Sequence, residues 1–573
     1  MKILAINPGH DAGACIFEDF DLVAYAKEER LNRIKSWGYE IPWLSLKELW
    51  SKCPPDEIDC LVMLRASIPT SCYKNLSHRP LHYRALYHIN KLLGREKRLS
   101  IDAQMKASGK AENELIDFGK LRRLFGLRPD CEVLFSNHHL SHALPAIFYS
   151  PRINQGISYT ADGVGDFACY SLYRFDQENF DEVIGGDESI YQSTGTLNSM
   201  GRFYSRVTRA AGYKSNRHEG KITGLAAYGK PLLLEELRGK YFLDEKGQVQ
   251  TSFKNYQEAE DYIFDYARTM EMKDIASSAQ CFLEEIMLQA VQCHRTRAGA
   301  HFVGLSGGVF ANVRANQVIA ESEGVDEVFI YPAMGDEGLA VGAALDICRR
   351  KWGWKEFMSK RRDLGMIYYG EEFSQRQIAH AAEGFEIEEP ENMAREVACR
   401  INENKICALF TKGMEYGPRA LGARSILATP KDKNINKTLN ERLTRTEFMP
   451  FAPVVRAERL TEVFKCPPQS ERATKYMTIT CHVQDQWRDK IPAVVHVDGT
   501  ARPQSIERHD NPLYYDIIEQ FEEVSGLPCL INTSFNAHEE PIINTPQEAL
   551  RALAQRRIDY LVTDEMIISR KES

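Results

Sequence analysis

One strand–turn–strand unit occurs twice in the first third of the chain, and it constrains the fold more than any other feature. "KILAIN", "PGHDAG" and "ACIFED" run from residue 2 to 19 as strand, Gly/Asp turn and strand, and "LVAYAKEER" follows at hairpin distance. Residues 157–175, "ISYTADGVGDFACYSLYRF", repeat the arrangement. Two such meanders, each followed by helical stretches, predict a duplicated α/β domain with a cleft between its halves.

A length of 573 residues allows roughly three or four domain-sized units. Hydrophobic residues make up 43% and charged residues 27%, ordinary for a globular protein. A net charge of −8 argues against bulk binding to nucleic acid or to an anionic membrane. None of the 14 cysteines is spaced C-x-x-C, and they lie in apolar contexts, so they read as buried free thiols in a reducing cytoplasm. The N-terminus is not patterned as a signal peptide, and no apolar run approaches the roughly 18 residues that span a bilayer.

Residues 40–130 read as a helical, mixed-charge insertion into the first half, with "LSHRPLHYRALYHINKLLGREKRL" as its most helical part. "HFVGLSGGVFANVRANQVIA" and "IYPAMGDEGLAVGAALDI" each read as strand, glycine turn and helix, a junction where backbone approaches an anion closely. "RRKWGWKEFMSKRR", residues 349–362, marks a boundary between a domain over 1–355 and a second over 356–573. From Lys412 to Arg456 nine Lys/Arg stand against four Asp/Glu, a local +5 in an acidic chain. Because its arginines sit beside Gly and Pro in "EYGPRALGARSILATP", the stretch predicts anion binding rather than a solvated helix face.

"SNHHLSHA", residues 136–143, places three histidines within five positions. His138 and His142 share a helix face and can either bind a divalent metal or form a hydrogen-bonded core pair. His139 points roughly 100° away and reads as supporting. No glutamate follows the first histidine, which disfavours a metalloprotease. Asp336, in the "GDEG" turn, suits a third ligand. His10 and Asp11 in "GHDAG" are a candidate general base with its partner, or a turn-stabilising pair. Asp162 and Gly163 of "ADGVGDF", Glu219 and Lys221 of "HEGKITG", and Gly307, Gly308 and Asn312 of "SGGVFAN" are candidate nucleotide contacts. Arg419 and Arg424, Arg502 in "VDGTARPQSI", and Asn532, Ser534 and Asn536 in "LINTSFNAHEEPI" describe a site for a small phosphorylated or carboxylated substrate.

In this order, "HDAGA", "KEERLNRIK", "HHLSHA", "DGVGDFA", "EGKITGLAAYG", "SGGVFANVRAN", "MGDEGLAVGAAL", "EYGPRALGARSILATP", "RTEFMPFAPVV", "VDGTARPQ" and "INTSFN" resemble the O-carbamoyltransferases of nodulation and antibiotic tailoring. The resemblance implies an actin-like (ASKHA, RNase H-like) N-terminal domain and an α+β YrdC-like C-terminal domain. It implies that carbamoyl phosphate and ATP, with Mg²⁺, give carbamoyl-adenylate in the C-terminal domain. The carbamoyl group then passes to a hydroxyl at an N-terminal site. By motif, His138, His142 and Asp336 match ligands of iron(II), His10 matches a base, and Arg419, Arg424 and Arg502 match the carbamoyl-phosphate region. Two departures stand out. His538 and Glu539 occupy places where relatives carry a basic residue and a glycine, and Gly13 stands where another small side chain is common.

A hydrogenase-maturation carbamoyltransferase would add C-x-x-C pairs and an acylphosphatase domain, neither of which is seen. A tRNA-modifying enzyme would need a basic stripe beyond 412–456. An actin-like nucleotide switch would not need a second anion site. The acceptor (a sugar, a polyketide or another hydroxylated metabolite) is not legible, and the oligomeric state is open, a homodimer included.

Overall fold

The computed structural model describes residues 1–74, 97–192, 196–445, 449–467 and 469–571. Two five-stranded sheets carry the N-terminal half. The first runs Asp21–Lys27, Gly13–Glu18, Lys2–Asn7, Cys60–Leu64, Glu132–Ser136. The second runs Phe180–Ile184, Ala168–Phe175, Gly156–Gly165, Phe302–Ser306, Glu327–Ile330. In both, three antiparallel strands lead into two parallel ones. Order and strand sense therefore repeat, and the N-terminal half is the duplicated α/β domain that the two meanders predicted.

Residues 40–130 are not simply an insertion. Their "CLVML" is a central strand of the first sheet, buried along its whole length. A parallel strand covered on both faces is apolar throughout and shows no alternation, so periodicity does not announce it. The stretch read as most helical there lies almost wholly outside the described residues.

Each sheet lends a helix to the other. His138–Phe148 follows the last strand of the first sheet yet packs on the second, and Leu339–Trp352 follows the last strand of the second yet packs on the first. The two helices touch along one seam. Pro145 lacks an N–H, so the Ser141 carbonyl has no helical donor. Gly342 packs against that carbonyl so closely that a Cβ there would lie 1.6 Å from its oxygen.

A third, eight-stranded mixed sheet spans Glu386–Ser569. Its flanking loops dock on the second sheet's helix Val313–Ala320, through Asn316 Nδ2 to the Thr478 carbonyl (2.8 Å) and Thr480 Oγ1 to Gln317 Oε1 (2.7 Å). The segment 349–362 stays with the N-terminal half: Phe357 is buried in the core around the two exchanged helices, and Trp354 Nε1 donates to the Asp176 carbonyl at 2.8 Å. The cysteines are not all free, since Cys466 and Cys481 are disulfide-bonded. Among the described residues, no helix is long and apolar enough to cross a membrane.

Candidate active site

The exchanged helices start beside each other; the first carries the histidines, and Asp336 lies in the short turn Asp336–Gly338 that leads into the second. Asn137 caps the histidine helix by accepting from Leu140 N at 3.1 Å. The His138 amide donates to Asp166 Oδ2 at 2.8 Å. Arg65 Nη1, from the end of the "CLVML" strand, holds Asp166 from the other side at 3.1 Å. Gly165 makes room for the His138 ring, which a Cβ there would meet at 2.1 Å.

Four ligand atoms, from His138, His142, Asp162 and Asp336, lie within 4.8 Å of one another. His138 Nε2 is 3.0 Å from Asp162 Oδ2 and 3.7 Å from Asp336 Oδ1. His142 Nε2 is 3.4 and 3.5 Å from the same two oxygens. Burial opposes charge on His142, but the two carboxylates outweigh it and push its pKa up to about 9. Burial likewise works against ionised Asp162, yet the imidazoles hold its carboxyl well below the usual carboxylate range. Both ring nitrogens of His142 are buried without a hydrogen-bond partner. An orphaned imidazole aimed at two carboxylates, with a second imidazole beside it, fits a divalent transition metal. Asp162, read from sequence as a nucleotide contact, belongs to this set because it lies where its strand breaks register, between Ala161 and Gly165, within reach of both histidines. His139 turns away to Thr160 Oγ1 (2.8 Å) and the Ala168 carbonyl (3.0 Å), and burial lowers its pKa to about 3.

The "GHDAG" turn lies alongside. Asn7 Nδ2 donates to the carbonyls of His10 and Asp336, both at 2.9 Å, and so ties the turn to the cluster. His10 Nδ1 is 3.0 Å from Asp11 Oδ2, and Lys27 Nζ is 3.0 Å from Asp11 Oδ1. Burial disfavours the imidazolium, but Asp11 and then Asp336 overcome it and raise His10 to about 9.

The nucleotide candidates divide. Gly308 faces Asp162 so closely that a Cβ would lie 2.9 Å from Oδ1, and Gly163 N donates to that same oxygen at 2.7 Å. Gly307 adopts φ 99°, which turns the chain between strand and helix. Asn312 and Glu219 are committed to the fold instead. Asn312 Oδ1 caps a helix at Ala315 N (3.1 Å) while its Nδ2 donates to Gln280 Oε1 (2.8 Å). Glu219 Oε1 accepts from Asn216 N (2.7 Å) and Ser205 Oγ (3.0 Å). Lys221 is buried, its ammonium 5.3 Å from the Tyr213 ring centre.

The third sheet gathers the C-terminal motifs. Asn532 Nδ2 donates to the Ala420 carbonyl (3.0 Å) and to Gln504 Oε1 (2.6 Å), which draws together the loops bearing Arg419 and Arg502. Arg424 is different: it is fully buried over Phe410, and Nη1 donates to the carbonyls of Thr411 (2.7 Å) and Ala423 (3.0 Å). Burial lowers its pKa to about 10. One edge of its guanidinium shapes the glycine loop, while Nε and Nη2 are buried without a hydrogen-bond partner. The cation at the end of "LINTSFN" is Arg445, which the sequence reading passed over. Its guanidinium meets Thr533 Oγ1 (2.7 Å), Ser534 Oγ (3.2 Å) and Asn536 Oδ1 (3.0 Å). Asn536 also closes its own turn, donating to the Glu540 carbonyl at 2.7 Å. The signal for Arg445 was present: it lies in the basic 412–456 stretch and opens "RTEFMPF", of which residues 446–448 lie outside the described set.

Comparison with known proteins converges on one family. The carbamoyltransferase N-terminus model matches residues 2–345, and the carbamoyltransferase C-terminus model matches residues 398–570. Nodulation protein NolNO of Sinorhizobium fredii is 29% identical, over 98% of this chain and 79% of its own. Nodulation protein NolO of Bradyrhizobium diazoefficiens is 30% identical, over 76% and 79% respectively. An uncharacterized protein of Methanocaldococcus jannaschii is 31% identical, over 77% and 74%. Among solved structures, full-length HypF in its phosphate- and nucleotide-bound form aligns at 11% identity and a TM-score of 0.36, covering 62% of this chain and 47% of that one. With both family models matched in order and the larger spanning more than half of the sequence, the chain belongs to the carbamoyltransferase family and is a carbamoyltransferase.

Proposed function

We propose that this carbamoyltransferase is an ATP-dependent O-carbamoyltransferase that works at two sites. The C-terminal, YrdC-like half consumes one carbamoyl phosphate, one ATP and one water. Phosphate leaves the carbamoyl group, the carbamate oxygen attacks the α-phosphorus of ATP, and pyrophosphate departs from carbamoyl-adenylate. Arg419, Arg502 and Arg445, with Asn532 and Ser534, bind and orient the phosphate oxygens. Arginine forks suit this, being planar and permanently charged.

At the N-terminal site a hydroxyl of a small metabolite attacks the carbamoyl carbon and AMP leaves. The observation that carries this assignment is the His138, His142, Asp162 and Asp336 cluster beside His10. These four residues would hold a divalent metal, iron(II) by resemblance, which supplies Lewis acidity toward the carbamoyl oxygen. His10 accepts the hydroxyl proton at Nε2, while Asp11 holds Nδ1 and Lys27 steadies Asp11. The base form of His10 is populated as pH rises toward about 9, the value to which Asp11 and then Asp336 raise it. Gly163, Gly307 and Gly308 let backbone approach the departing nucleotide.

The test is to supply carbamoyl phosphate, ATP and a panel of hydroxylated acceptors, and to measure pyrophosphate, AMP and product mass. Pyrophosphate release should require carbamoyl phosphate, and an acceptor should gain one carbamoyl group. Pyrophosphate release that ignores carbamoyl phosphate would overturn the reading.

A further inference from the structure

Glu539 is held at φ 61°, a left-handed backbone conformation that is costly for a glutamate. Its carboxylate leaves the third-sheet turn and crosses to the N-terminal half. There it meets Lys214 Nζ at 2.9 Å, Arg217 Nη1 at 3.2 Å and His218 Nε2 at 2.7 Å. Lys35 interacts electrostatically with both Glu539 and Arg445. The adjoining His538 amide donates to the Leu443 carbonyl at 2.9 Å, two residues before Arg445. The turn therefore sits where both halves and the Arg445 loop converge.

His218, His538 and Glu539 have the spacing of metal ligands. Charge decides against a metal. Lys214 and Arg217 both pair with the one carboxylate, and Lys35 adds a further positive charge in its field, so a dication would be repelled. The same excess attracts anions. Surface pairs such as Lys214 with Glu539 contribute little to stability, so they do not account for a strained glutamate.

We propose that Lys35, Lys214, Arg217 and His218 form a phosphate-binding seam between the two halves, and that Glu539 fills it as an internal carboxylate until a phosphoanhydride displaces it. A nucleotide arriving at the C-terminal site exchanges Glu539 for its own phosphate oxygens. Arg217 and Lys214 then grip the ligand rather than the turn. The proposal rests on the function proposed above only in naming a nucleotide. The seam itself is tested with inorganic pyrophosphate and no turnover, so either idea can fail without the other.

Pyrophosphate affinity should be measured by calorimetry on the full chain, for the native protein, Glu539→Gln, Glu539→Gly, and each combined with Arg217→Ala. Glycine tolerates the left-handed backbone, so the second variant protects against misfolding. Both single variants should bind about tenfold tighter, the scale of one charged hydrogen bond. Arg217→Ala should do little while Glu539 occupies it, but should remove the gain once Glu539 is gone. That non-additivity is the signature of displacement. Unchanged or weaker binding in both Glu539 variants, or equal Arg217→Ala effects in both backgrounds, would show that Glu539 is only an interlock. A zinc ion bound by the native protein and lost in His538→Ala would replace the seam with a metal site.

Discussion

Asp162 and Asp336 reach their partners from a bulged strand and from the short turn that opens a helix, whereas Arg419, Arg424 and Arg445 hang from connections around the third sheet. In the first case the backbone elements themselves set the distances. Two sheets of identical order exchange helices, and the helix starts arrive within ligand distance of the bulge in strand Gly156–Gly165. In the second, buried side chains must first shape the loops. Glu415 Oε1 accepts from the amides of Leu421, Ala423 and Arg424 at 2.9, 2.7 and 3.0 Å, and one face of Arg424 is spent in the same way. A site on regular elements can commit all its polar groups to ligand, while a loop-built site divides them between ligand and fold.

The strongest break of this comparison is at the cluster. Asp162→Asn should empty the N-terminal site of metal and lower carbamoylation by more than about a hundredfold, beyond what loss of a supporting group does. Elemental analysis and product formation check it together. Metal retained with weakened ATP binding would return Asp162 to the nucleotide. Next, His10→Asn should reduce acceptor carbamoylation by about 10²–10⁴ while carbamoyl-phosphate-dependent pyrophosphate release continues. If both activities fall equally, the two sites do not act in separate steps.

Three variants sharpen the contrast between element-built and loop-built. Gly342→Ala places a methyl on the Ser141 carbonyl, so it should push the exchanged helices apart and destabilise by about 2–4 kcal/mol. Calorimetry on the metal-free protein reads that loss directly. Arg424→Ala should destabilise the fold by about 3 kcal/mol, the scale of breaking a buried charged network. Arg445→Ala should leave the melting temperature closer to native but weaken carbamoyl-phosphate use by about tenfold or more. Denaturation midpoints and steady-state kinetics on the pair separate the roles, and an equal stability loss in both would erase the distinction.

The smallest effect lies where the halves meet. Burial, then the charge of Glu371, pushes Glu48 up to about 7. Its folded pKa exceeds its unfolded one, so the neutral form favours folding, and this contribution fades as pH rises from about 4.5 to 7. Glu48→Gln should therefore stabilise the protein at pH 8 by about 1 kcal/mol, allowing for solvent screening, and do nothing below pH 4. A melting-temperature gain that is the same at both pH values would remove titration as its cause.

Legibility followed range. The "KILAIN" and "ISYTAD" meanders, the i, i+4 histidines and the glycine turns are set by contacts within about twenty residues, and they could be read directly. The "CLVML" strand could not, because its apolar run suits a buried strand or a core helix equally and only its neighbours decide. Glu219 and Asn312 carry the right chemistry, but Asn216, Ser205 and Gln280 claim their side chains, and sequence does not show which polar group already has a partner.

The amino-acid sequence by itself determined the duplicated α/β architecture, the family, and His138, His142 and Asp336 as a candidate ligand set. Local periodicity and motif spacing suffice for those. The tertiary structure alone decided that Asp162 joins that set, that Arg424 turns inward while Arg445 meets the "INTSFN" strand, and that Glu539 crosses between the halves. The physical reason is that a polar side chain's role depends on which partners reach it first, and those partners come from 24 residues away, as for Asp162 and His138, to 325, as for Glu539 and Lys214.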